Sequence, residues 1–148
     1  MAGRTPDREY IPPVQTLQVR YAKRGRMRFA SHRDFQRAWE RALRRTPIPM
    51  AYSAGFSPHP KVSYAGAAPT GAASEAEVLE FSVVRAIDPD IARAALDAAL
   101  PDGLDVVAIE PSAGPLSDRL RASRWRIEWS GDVRAAVAAF GASTSVEV

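Results

Sequence analysis

The two histidines of this 148-residue chain are its best candidates for proton chemistry, and both lie between Phe29 and Tyr64. His32 stands in the run Ser31-His32-Arg33-Asp34, and His59 stands between Pro58 and Pro60. Ser31 can cap a helix beginning at His32, with Asp34 as its capping-box partner and as an acid suited to the positive helix end. A neutral imidazole beside arginines could accept a proton from an RNA 2′-hydroxyl while an arginine stabilises the developing phosphorane-like charge. That would be metal-independent RNA cleavage using His32. The same residue also suits a structural part, as a helix-entry side chain bonded to the later loop. His59 has a backbone restrained by its flanking prolines, which fits either ligand contact or a locked loop bond. A metal site would need His32, His59 and carboxylates such as Asp34 or Glu77, a spacing that matches no ligand pattern, so neither metal nor cofactor is expected.

A second chemistry is phosphate binding. Arg33, Arg37, Arg41 and Arg44 recur at spacings of four, four and three, which aligns them on one face of a helix with Glu40 close by. Tyr52, Phe56 and Tyr64 interleave with cations, as on single-stranded nucleic-acid surfaces, where bases stack on aromatic rings beside phosphate-binding groups. The candidate nucleic-acid set is Arg33, Arg37, Arg41, Arg44, Lys61, Tyr52 and Phe56. The accompanying motif set is Ser31, His32, Asp34, Ser53, Gly55, Pro58, His59, Pro60, Ser74 and Glu77. Neither GxxxxGK[ST] nor GxGxxG occurs, so no phosphate loop is present, and no local Ser-His-Asp arrangement can be assembled.

Composition narrows the classes. Apolar residues make up 46% and charged residues 25%, the balance of a globular protein, and no apolar run approaches the roughly 20 residues of a membrane span. The N-terminus has no apolar signal stretch, which makes the cytoplasm the expected location. The absence of cysteine excludes disulfides, thiol nucleophiles and a cysteine-held iron–sulfur cluster on this chain. Net charge is only +3, yet Val19–Ser74 carries eleven basic residues against two acids, and Glu75–Asp118 carries ten acids against two arginines. One half can attract a polyanion that the other repels. Because 18 of the 20 basic residues are arginine, a genome-wide preference for Arg over Lys is an equally simple source of that charge.

The elements that must position these groups follow from periodicity. Leu17, Val19 and Tyr21 alternate as in a strand, and Met27-Arg28-Phe29 reads as a second short extended piece. Phe35, Ala38, Trp39, Ala42 and Leu43 form one apolar face of a helix over 32–45. After a Pro/Gly loop, 61–65 and 76–84 read as an antiparallel strand pair. Asp88-Pro89 starts a second helix, whose apolar side is expected at Ile91, Ala94, Ala95 and Ala98, and 104–109 reads as a final strand. Strand-helix-strand-strand-helix-strand is the split βαβ pattern of an α+β, ferredoxin-like sandwich, with both helices on one sheet face and the other face available. The expected organisation is a flexible leader over 1–14, this domain over 15–111, a linker over 112–123 and a partial strand-helix-strand unit over 124–148. In that last unit Trp125, Ile127 and Trp129 form a strand, Asp132 caps a helix to Phe140, and Ser143–Val148 is extended. The unit either docks on the first domain or begins a second one that is incomplete.

With SHRD, IPMAYSAGFSPHPKVSY and Gly71-x-x-Ser74-x-x-Glu77 in view, the chain resembles the radical-SAM-associated DUF2344 family. The residues that carry the resemblance are Ser31, His32 and Asp34; Arg45, Ile48 and Pro49; Tyr52, Ser53, Gly55, Phe56, Pro58, His59 and Pro60; and Gly71, Ser74 and Glu77. They lie within about residues 17–83, and Arg33 stands where the family usually has leucine. The resemblance implies a partner or fused neighbour of a radical S-adenosylmethionine protein. Because family genes often lie beside those for ribonuclease E/G and large-subunit ribosomal proteins, it also points toward RNA or ribosome work. The family carries no settled activity, and its members usually continue beyond this length. The expectation is a non-catalytic accessory module that engages tRNA or ribosomal RNA and serves a radical-SAM protein. The alternatives are an RNA-cleaving enzyme using His32, and a protein-interaction module for a radical-SAM or ribosome-associated partner.

Overall fold

The computed structural model describes residues 9–143. The first eight residues of the expected leader, and the expected final strand beyond Ser143, lie outside the described residues. Four strands, β1 (Gln15–Lys23), β2 (Val62–Tyr64), β3 (Ser74–Val83) and β4 (Leu104–Pro111), form one antiparallel sheet in the order β2-β3-β1-β4. Helix α1 (His32–Arg45) joins β1 to β2, and α2 (Pro89–Ala99) joins β3 to β4. This order and connectivity are those of the ferredoxin-like α+β sandwich, as the βαββαβ pattern predicts.

The core forms where α1 and α2 bury their apolar residues against the inward positions of β1, β3 and β4. Trp39 and Tyr21 are its largest fully buried side chains, with ring centroids 4.9 Å apart in an edge-on arrangement, and Phe35 stacks on Tyr21 at 5.5 Å. Each such ring contributes on the order of 2–3 kcal/mol through burial. Ser31 caps α1 by accepting the Asp34 backbone N–H at 3.1 Å, and it donates its own hydroxyl proton to the Asp34 carboxylate at 2.9 Å. Asp88 caps α2 in the same way through the Asp90 N–H at 2.8 Å.

Four expectations change. Met27-Arg28-Phe29 is not extended: Gly25–Phe29 forms a 3-10 turn, closed by Met27 N–H to Arg24 O and Ala30 N–H to Met27 O. A piece this short, with no neighbouring strand to pair with, satisfies its backbone locally. The buried side of α2 is Ala92 and Leu96, whereas Ile91 is 70% exposed. In an alanine-rich helix the one leucine that reaches the sheet sets the face, and Leu96 draws in Ala92, Ala99 and Leu100 at helical spacing.

The third change concerns the second sheet face, which is partly covered. A short helix, α3 (Leu116–Arg119), lies within the expected linker; Arg119 donates to Gln18, the Ser112 hydroxyl donates to Glu80, and Leu116 is buried. Finally, residues 120–130 form no strand, and Trp125, Ile127 and Trp129 are exposed. An alternating segment without a partner strand has no ladder to join. Helix α4 (Arg134–Gly141) does form, with Asp132 accepting the Arg134 N–H at 3.0 Å, but it buries no residue.

Candidate functional site

Helix α1 runs from one end of the sheet to the other, and each end carries a cleft. Because its apolar face is spent on the core, Arg33, Arg37, Arg41 and Arg44 all stand exposed. Arg37 lies 3.9 Å from Asp34 and Arg44 3.4 Å from Glu40, both loose surface pairs worth little. Arg33 and Arg41 have no acidic partner among the described residues.

At the C-terminal end of α1 the SAGFSPHP stretch folds as a hairpin-like loop. Tyr52 bridges Pro60, Ser53 N–H donates to His59 O at 2.9 Å, and Ala51 N–H donates to Ser82 O at 2.8 Å. Ser53 Oγ accepts the His59 N–H at 3.1 Å and also bonds the imidazole Nδ1 at 2.9 Å, so His59 is locked into its own loop. Gly55 at the tip has φ +113°, and the next residue, Phe56, points its whole ring into solvent. Tyr52, Ser53, Gly55 and Pro58 line a cleft of about 580 Å³ with Met50 and with Tyr10 and Ile11 of the N-terminal segment. Lys61 leans on this segment, its ammonium 5.7 Å from the Tyr10 ring centre and 3.5 Å from the Tyr10 hydroxyl. It therefore sits apart from the α1 row.

The other cleft, about 310 Å³, opens at the N-terminus of α1 and brings together residues far apart in sequence: His32, Phe35, Lys23, Glu77 and the strap Ala67–Thr70. His32 is exposed at its lip, with Nε2 2.8 Å from the Gln36 amide and its ring against Phe35 and Tyr64. The expected bond from His32 to the SPHP loop is thus replaced by one within its own helix. The reason is distance: Glu77, in the His32 cleft, and Val83, at the end of β3, are about 20 Å apart at the usual strand rise, and the loop is tied to the Val83 end. Two buried charges line this cleft. Lys23 is 4% exposed and donates to Ala68 O at 3.0 Å; Glu77 is 7% exposed and accepts the Ala68 N–H at 3.1 Å. Burial, then the charge of Glu77 and the nearby Tyr64, pushes the Tyr21 phenol well above the usual tyrosine range. Burial and then Glu40 do the same for Tyr64. Ser74, at the head of β3, accepts the Ala76 N–H at 3.3 Å, and Gly71 donates to Arg28 O at 2.7 Å, which seats the turn beside this cleft.

The SHRD and Gly-x-x-Ser-x-x-Glu motifs therefore converge on one cleft, and the IPMAYSAGFSPHP motif builds the other. A family model described as an uncharacterised protein conserved in bacteria matches residues 16–148.

The chain belongs to the DUF2344 family.

The DUF2344 match runs past the motif-bearing region and takes in α3, α4 and the segment between them, so these too are family sequence. No curated protein and no solved structure matches the chain. Among the described residues no group of three His, Asp or Glu side chains could hold a metal ion, and no helix is long and apolar enough to cross a membrane. Sequence reasoning did not single out Lys23, which entered only as one of the eleven basic residues of Val19–Ser74. Its signal was legible, since Leu17, Val19, Tyr21 and Lys23 share the period-two face that enters the core.

Proposed function

We propose that this DUF2344 chain is a non-catalytic RNA-binding module that grips tRNA or ribosomal RNA along α1 and presents it to a radical-SAM partner. One observation carries the RNA reading: an arginine row along a single exposed helix face, with Arg33 and Arg41 unpaired and the opposite face buried. Guanidinium groups at helical spacing, two of them without a competing carboxylate and two only loosely paired, suit successive phosphates, and the bare Phe56 ring at one end offers a stacking surface. The part given to the radical-SAM protein rests on the motif resemblance.

The test is a fluorescence-anisotropy titration with tRNA and ribosomal RNA fragments at two salt concentrations, using the wild-type chain and an Arg33/Arg37/Arg41→Glu variant. Wild-type binding is expected to weaken steeply with salt. The variant should lose most affinity, with a log–log salt slope shallower by about 2, since each single-strand phosphate contact contributes about 0.7. Equal binding by both proteins would remove the arginine row from the RNA surface.

A further inference from the structure

The cleft at the N-terminus of α1 holds an imbalance that the fold leaves unresolved. Lys23 and Glu77 are more than nine-tenths buried and face the same space, yet no ion pair joins them. Each grips the Ala68 peptide with part of its capacity. Lys23 uses one of three ammonium donors on Ala68 O, and Glu77 uses Oε2 on Ala68 N–H. Glu77 Oε1 has no protein partner among the described residues and is not among the atoms sealed from solvent. Burying an ion costs several kcal/mol unless its remaining hydrogen-bonding capacity is met. What would complete both groups is a ligand edge carrying an acceptor for the ammonium next to donors for the carboxylate. The surroundings favour a flat ligand of modest size: a space of about 310 Å³, the low end for a small-molecule site, with the Phe35 and His32 rings along it.

We infer that the Lys23–Glu77–His32 cleft is a pocket for a single unpaired guanine base. Guanine alone among the RNA bases places one acceptor, O6, beside two adjacent donors, N1–H and N2–H. Lys23 donates to O6, and Glu77 Oε1, with two lone pairs, accepts from the N–H edge. Unpaired bases are the part of RNA read in this manner, by side-chain hydrogen bonds and ring contacts. The pocket deepens the RNA reading and rests on it for its biological meaning. His32 at its lip directly precedes Arg33 in α1, so a strand following the arginine row to the N-terminus of the helix ends beside the cleft.

The probes are labelled uridine ten-mers carrying one central G, A, C or U, titrated against the full chain by anisotropy. A parallel arm records amide NMR shifts of the 15N-labelled chain with GMP, AMP, CMP and UMP. The expected result is preference for the G-containing oligomer by about tenfold, GMP-specific shifts at Ala67–Gly71 and His32, and loss of the preference in Glu77→Gln with all-uridine binding unchanged. The wild-type comparison among the four oligomers stands even if Glu77→Gln fails to fold, and His32→Ala, at an exposed position, supplies a second variant expected to weaken the preference. Equal affinity for all four oligomers, or preference for another base, overturns the guanine pocket and leaves RNA binding intact. GMP shifts at the cleft with no oligomer binding uphold the pocket and remove the RNA reading. Silence in both arms overturns both.

Discussion

Tyr64 shows how far single residues depart from their apparent type. Its place among Tyr52, Phe56 and the cations suits a base-stacking ring, but it lies edge-on to Phe35 at 5.8 Å, and its hydroxyl is buried with no partner. A buried, unbonded hydroxyl costs roughly 1–3 kcal/mol, so Tyr64→Phe should stabilise the chain by about 1 kcal/mol, read as a higher denaturant midpoint at unchanged slope. A loss of stability would mean that the hydroxyl is satisfied. Phe56 goes the other way, with a large apolar ring left fully in solvent. Lys23 was passed over, despite its place on the inward face of β1, for a related reason. A lysine is expected at the surface, and only the backbone carbonyl of Ala68, from a strap some 45 residues later, makes its inward position tolerable.

Among the elements, those with strong local signals formed where the pattern put them. Helix α1 has a cap, a wide apolar stripe and a proline stop, and each agrees with the others. The pattern was weakest where side chains are small, as in α2, and where a segment's fate depended on a neighbour, as at Met27–Phe29 and Trp125–Trp129. The turn into β4 depends on such a neighbour. Gly103 has φ +95°, its carbonyl accepts the Arg24 N–H at 2.8 Å, and a Cβ there would sit 2.5 Å from Arg24 O. Gly103→Ala must therefore distort the junction between the end of β1 and the start of β4. We expect a cost of about 1–3 kcal/mol in thermal or denaturant unfolding, with faster exchange of the amides near Arg24 and Leu104. Wild-type stability would show that the junction relaxes freely.

Across the whole molecule, stability and surface are unevenly shared. The cluster of buried apolar residues ends with Ile109, and beyond it only Leu116 is buried, while the described residues from Leu120 onward bury no side chain. A chain ending after Leu120 should keep the thermal midpoint of the longer one within a few degrees, measured by circular dichroism; a large drop would show that the later segment supports the core. The sequence by itself determined the order and type of the six sandwich elements, the capped start of α1 and its arginine row, because caps and apolar periodicity act within a few residues. It also carried the family motifs. Only the tertiary structure decided which motifs meet: antiparallel pairing of β1 with β3 sets Tyr21 opposite Glu77 and Lys23 opposite Ser74, which brings two distant charges to one cleft beside His32. The same pairing leaves His59 at the far end of the sheet, because strand register is fixed by burying a whole face at once and is invisible to any one segment.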